Sequence, residues 1–182
     1  MPRVYLSPSL QEYNPYINGG TEEVVANLIV DAMEPFLTAT GIEFSRNRPE
    51  MTLGEAIADS NSGEYDFHLA IHSNAAPESL AGTLKGTDVY YYATSPYGQE
   101  MADLIAAEFE RIYPYPNEVD TVPTVTLREL RRTEAPSALV EVAYHDNPED
   151  AAWIKQNIPE IAEALSRALA QYFNLPFEET TE

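Results

Sequence analysis

Between Tyr65 and Ala76, YDFHLAIHSNAA, apolar and polar positions alternate: Phe67, Leu69 and Ile71 point one way, and His68, Ala70 and His72 the other. The pattern predicts a buried strand that ends in a polar turn. The same period predicts strands over RVYLS (3–7), IEFSR (42–46), TDVYYYAT (87–94) and PSALVEVAY (136–144). A helical period governs the segments between them. Thr21 reads as an N-cap with Glu22 and Glu23 in the first turn, followed by Val25, Leu28, Ile29, Ala32, Met33 and Phe36, and Gly41 stops the helix. Thr52 with Glu55 reads as a capping box over 52–61, and Pro96 opens an amphipathic helix that carries Met101, Leu104, Ile105 and Phe109. YPYPNEVDTVP (113–123) reads as a proline-bearing loop, and 151–173 as one or two helices broken at Pro159.

Alternation of strands and helices predicts a single layered α/β domain over residues 1–173, with a largely parallel twisted sheet flanked by helices and an acidic C-terminal tail over 174–182. In that arrangement the carboxyl ends of three strands, at Ser7, His72 and Glu141, share one edge, where ligands of open α/β sheets collect. His72 closes its strand, with Ser73 and Asn74 following. His68 lies roughly 13 Å back along the strand and reads as structural; a satisfied core histidine is the plain alternative for His72 as well. Glu141 is the single acid of an apolar strand, and burying an unpaired carboxylate is costly, so it is either paired, with Arg131 or Arg132, or functional.

Composition narrows the chemistry. The chain has 182 residues, 44% of them hydrophobic, which suits one globular domain. A formal charge of −20 argues against nucleic acid and anionic membrane surfaces as partners. With no cysteine there is no thiolate nucleophile, disulfide or Cys-based zinc site, so a metal would use His, Asp, Glu or water. No Gly-x-Ser-x-Gly elbow presents a serine nucleophile. No apolar run approaches membrane-spanning length, and the polar start MPRVYLSPSLQEYN is not a signal peptide, which predicts cytoplasmic synthesis and action after release or export.

Several segments, in order, resemble the zinc-dependent N-acetylmuramoyl-L-alanine amidases of bacterial autolysins and phage endolysins, from about Val4 to Phe173. They are TEEVVANL with Glu23 four before Asn27, Ser45–Arg46 at the second strand's end, AIHSNAA with Asp66 six before His72, GTDVYYY from Gly86, and PSALVEVAYHDN with Pro136, Leu139, Glu141, Tyr144 and Asn147. The resemblance implies hydrolysis of the amide between N-acetylmuramic acid and the L-alanine of the stem peptide, with peptidoglycan or a muropeptide as substrate and zinc as cofactor. Carried over residue by residue, Glu23 and His72 are metal ligands, Glu141 the general base and acid, and Asn74 a substrate contact or a cap of its own turn. Helix-end charge is the plain alternative for Glu23.

One departure bears on the metal. Family members carry Asp-Pro-Gly-His after the first strand, and that His is a zinc ligand; here the place reads Ser7, Pro8, Ser9, Leu10. Gln11, Glu12 and Tyr13 follow and could offer an oxygen. The remaining imidazole, His145, sits in the turn after the Glu141 strand and is the expected replacement ligand, with capping of the next helix as its alternative. Two other readings follow from the departure: a peptidoglycan-binding module that has lost the metal, and another metal-assisted amidohydrolase on the same scaffold.

Overall fold

The structure, a computed structural model, describes residues 1–177. Six strands form one sheet: β1 (Arg3–Pro8), β2 (Glu43–Arg46), β3 (Phe67–Asn74), β4 (Thr87–Tyr92), β5 (Val119–Thr124) and β6 (Ser137–Tyr144). Their spatial order is β2-β1-β3-β6-β4-β5. The first four in that order run parallel, and β4 turns against β6 while pairing parallel with β5. The expected α/β domain with a largely parallel sheet is what the chain adopts.

Six α-helices connect the strands: α1 (Glu22–Thr40), α2 (Leu53–Ser62), α3 (Pro96–Ile112), α4 (Arg128–Arg132), α5 (Pro148–Gln156) and α6 (Ile158–Tyr172). The cores divide by sheet face. Phe67, Leu69 and Ile71 of β3 join Ile29 and Met33 of α1, Ile105 and Phe109 of α3, and Leu165 and Leu169 of α6 in one large buried cluster. On the other face a small cluster forms where Leu130 of α4 packs on Ala70 and Leu139 of the sheet. The even positions of β3 face this thinner layer, so a pocket forms there without cutting into the main core.

Local signals set the elements that aim the site. Thr21 caps α1, accepting from the Val24 N–H, and Gly41 ends it in the left-handed region at φ 77°. Thr52 and Glu55 form the capping box of α2. Arg46 at the end of β2 holds α1 through Asn27 (2.6 Å) and Asp31 (2.6 Å), and Asp66 accepts the Arg3 N–H at 2.8 Å, tying β1 to β3. These bonds account for Asn27, Arg46 and Asp66 as positioning residues. Gly86, at φ 118°, has no room for a side chain, because a Cβ would lie 2.5 Å from the Glu118 carbonyl oxygen.

Three expectations are corrected, and one element, α4, had none. The segment read as a loop contains β5, with Pro123 tolerated because β5 is an edge strand. α4 is a five-residue helix too short for a periodic signal. The break before α6 falls at Asn157, with Pro159 in the first turn of the new helix. Leu28 lies outside the core at 46% exposure, and Leu37 is buried within it. At the C-terminus Leu175 packs on the core and Phe177 stacks on Phe36 at 5.8 Å, so residues 174–177 lie against the domain; the rest of the acidic tail, 178–182, is outside the described residues.

Candidate active site

The parallel pairing of β1, β3 and β6 brings their carboxyl ends level. Pro8 pairs with Ile71, and His72 pairs with Glu141. A cleft of about 500 Å³ opens over this edge, with Leu10, Gln11, His72, Leu127, Glu129 and Glu141 among its lining.

His72 is held from both sides. Its Nδ1 lies 2.9 Å from Glu22 Oε1, and its Nε2 lies 3.5 Å from Glu129 Oε2. Burial opposes a charged ring, yet the bonds to Glu129 and Glu22 raise the His72 pKa well above its ordinary value. Burial likewise pushes Glu22 up, but bonds from His72, Asn14 and Ser9 outweigh it and hold its carboxyl below the usual range. Glu129 is buried with three partners: Ser7 Oγ at 2.5 Å, His68 Nε2 at 2.9 Å, and His72. Although burial pushes it up, its bonds to His68 and His72 hold it far below the ordinary carboxylate value.

Glu141 has the opposite environment. Its Oε2 is buried without a hydrogen-bond partner, so the expected alternative of an arginine pair is not realised at that oxygen. Burial pushes its pKa up to about 7; the nearby His72 charge opposes this, and Glu22 and Asp88 add to it. A carboxyl poised near neutrality, with one oxygen unpartnered and the residue in the cleft lining, suits proton transfer at working pH. Asp88 stands directly across from Glu141 in the β4–β6 pairing.

The structure brings together His72 and Glu141 but not the whole expected set. The acid against His72 is Glu22, not Glu23, which is partly exposed on the next helical position. Adjacent residues of a helix point about 100° apart, so one of two neighbouring acids faces the edge and spacing alone does not say which. His145 is also corrected. Its Nδ1 lies 3.0 Å from Ser73 Oγ and its ring stacks on Tyr16 at 5.2 Å, on the side of β3 away from His72. The cause is the shift in β3–β6 register between His72 and Asn74, which turns the chain after Tyr144. Asn74 accepts the Ala75 N–H at 2.9 Å, the turn-capping geometry, while its Nδ2 reaches Asp88 at 3.4 Å. His68 is fully buried between Ser60 and Glu129 and stacks on Tyr5. Among the described residues, no three His, Asp or Glu side chains are arranged to hold a metal.

Two residues escaped the sequence reading. Glu22 was visible only as one of a pair, and Glu129 lies in a short helix whose placement against β3 no local pattern announces. Its available signal was a lone acid between Leu127 and Leu130, both of which face the sheet.

A buried, neutral-poised carboxyl thus lies next to a carboxylate-flanked imidazole at the carboxyl edge of the sheet, where open α/β folds bind their ligands. The profile of the N-acetylmuramoyl-L-alanine amidase family matches residues 12–171, and the chain belongs to that family. An endolysin of Bacillus phage SPP1 is 27% identical over 168 residues, covering 87% of this chain; the chain spans 60% of that protein's length. Among solved structures, the amidase AmiC2 of Nostoc punctiforme superposes with a TM-score of 0.81 at 20% identity, over 95% of this chain and 97% of that one. The catalytic domain of CwlV from Bacillus (Paenibacillus) polymyxa var. colistinus gives 0.81 at 16%, over 97% and 100%. The catalytic domain of the CD27L endolysin, which targets Clostridia difficile, gives 0.78 at 18%, over 94% and 98%. These structural likenesses establish the fold. No helix among the described residues is long and apolar enough to cross a membrane.

Proposed function

We propose that the chain is a peptidoglycan hydrolase that cleaves the amide between the lactyl group of N-acetylmuramic acid and the L-alanine of the stem peptide, acting at the cell wall. The observation that carries this reading is Glu141: a buried carboxyl with an unpartnered oxygen and a pKa pushed to about 7, in register with His72 at the mouth of the cleft. Family membership supplies the reaction, and Glu141 supplies the group that performs its proton transfers.

Zinc is the family's metal, and two side chains at hand, one short of the usual three, could share it. His72 Nδ1 and Glu22 Oε1 stand 2.9 Å apart, a hydrogen-bond distance that would have to open to roughly 3.3 Å for both to ligate one tetrahedral ion at about 2 Å. Glu129 on the opposite nitrogen is the carboxylate that commonly orients a ligating imidazole. His72 and Glu22 would therefore hold the ion. When bound, zinc supplies Lewis acidity, polarising the scissile carbonyl and acidifying water.

The remaining work falls to the protein's own groups. Glu141 as carboxylate takes a proton from the attacking water and, as acid, delivers it to the amide nitrogen; the C–N bond breaks, leaving a lactyl carboxylate and a free alanine amine. Ser7 and His68 fix Glu129, which fixes His72. Leu10, Leu127 and Leu139 give the cleft an apolar wall, while Asn74, outside the lining, caps its own turn and donates to Asp88.

Incubation of the full chain with purified peptidoglycan tests the reading. New alanine amino termini without new reducing ends are expected, reduced roughly 10²–10⁴-fold in Glu141→Gln and abolished by chelation. Leu10 at the place of the family's first imidazole favours a second reading, a wall-binding module without hydrolysis. Co-sedimentation with peptidoglycan and no amine release would establish that reading in place of the first.

A further inference from the structure

The metal reading lacks a third protein ligand, since Leu10 cannot bind zinc and His145 faces the other side of the sheet. Resting on that reading, we propose that the side-chain amide of Gln11 takes the place of the missing imidazole, so that the ion is held by Gln11, Glu22 and His72.

Placement is the first argument. The Gln11 amide nitrogen lies 3.5 Å from His72 Nδ1, the same nitrogen that faces Glu22. Three side chains from three elements (the loop after β1, the start of α1 and the end of β3) thus meet at one point. The loop is tied in place, because the Ser9 N–H donates to the Ile71 carbonyl at 3.0 Å and Ser9 Oγ accepts the Gln11 N–H at 3.2 Å. The other donors after β1 fall away from this point: Glu12 is exposed, and Tyr13 is 75% exposed.

Hydrogen-bond roles give the second argument. A ring nitrogen carries either a proton or a lone pair. Toward the Glu22 carboxylate, Nδ1 is a donor, and toward the Gln11 NH₂ it would have to be an acceptor, so one of the two contacts is mismatched. A cation in place of the Nδ1 proton removes the conflict. It takes the Nδ1 lone pair, Glu22 Oε1 and, after a half-turn of the Gln11 amide, its carbonyl oxygen. That turn exchanges the present bond from Asn14 Nδ2 to Gln11 Oε1, 2.6 Å, for ligation, while Asn14 keeps its 3.0 Å contact with Glu22 Oε2. The amide is a weaker zinc ligand than imidazole, so the site is expected to hold its metal less tightly than a three-protein-ligand site with two histidines.

Calorimetric titration of zinc into the chelator-stripped full chain, with folding checked by circular dichroism, decides the matter. The wild type is expected to bind one zinc, Gln11→Ala at least tenfold more weakly, and Gln11→His at least tenfold more tightly. Cobalt(II) titration adds a spectrum: the visible bands of the wild type are expected to change in shape and intensity in Gln11→His, which a loop-stabilising role for Gln11 would not cause. One-to-one zinc binding with equal affinities and identical cobalt spectra in all three proteins overturns the Gln11 assignment and leaves the amidase reading standing. A wild type that releases alanine amines in the presence of chelator and binds no zinc overturns the metal reading, and the Gln11 assignment with it.

Discussion

The two faces of β3 are built from the same eight residues and do opposite work. Phe67, Leu69 and Ile71 sit in a continuous apolar layer under three helices, whereas His68 and His72 on the reverse face are surrounded by Glu22, Glu129 and Glu141 beneath a thin cover. The apolar face supplies burial energy. The polar face places three acids where they are costly, each in a different state: Glu22 and Glu129 held ionised by imidazoles, and Glu141 held near neutrality by burial. The lesson is that the reactive face is sustained by the other one, and substitutions should separate the two.

The largest separation is expected from Glu141→Gln. Hydrolysis should fall by roughly 10²–10⁴-fold, while zinc affinity and fold persist. The same variant changes the pH dependence of stability in the metal-free chain. Glu141 has a folded pKa of about 7, above the ordinary 4.5, so its contribution is full below pH 4.5 and lost as pH rises through 7. Metal-free Glu141→Gln should therefore gain melting temperature relative to wild type at pH 8 and not at pH 4. An equal difference at both pH values would show that Glu141 is not buried as an acid.

Leu69→Ala probes the opposite face. Truncation of this fully buried side chain should cost about 2–5 kcal/mol, a fall in melting temperature of roughly 10 °C, with kcat of the folded fraction little changed; a selective loss of kcat would mean that the two faces are coupled. His68→Gln lies between these cases. It loses the bond to Glu129 and the stack on Tyr5, and should lower stability by about 1–3 kcal/mol before zinc affinity changes by more than a few-fold. Loss of zinc at unchanged melting temperature would make His68 part of the metal site. The smallest effect is expected from Asp88→Asn. Removing a like charge opposite Glu141 should shift the acidic limb of the kcat/KM profile to lower pH by a fraction of a unit, as pH-rate curves would show.

Much of this organisation could be read from the chain. Alternation marked β3 and its two faces, caps marked α1 and α2, and a lone acid in an apolar strand marked Glu141. What could not be read depends on rotation and on distance. Whether Glu22 or Glu23 faces the edge is a matter of helix phase at the N-cap, and both residues suit a first turn equally. His145 was expected at the cleft because it lies four residues past Glu141, but a register shift between two strands, invisible in either sequence alone, turns it toward Tyr16. Glu129 meets His68 across a sequence separation of 61 residues, beyond the reach of any local pattern.

The reversal of direction at β4 leaves β5 as one border of the sheet and the four-residue β2 as the other. A border strand offers unpaired backbone groups to any passing chain and is where sheets of separate molecules fuse. Pro123, next to the last residue of β5, withholds an N–H from such a visitor, Asp120 adds an exposed charge, and β2 is too short to template a long partner. Each border is thereby blunted against edge-to-edge aggregation, which lets the parallel strands that carry the site remain in the protected interior of the sheet.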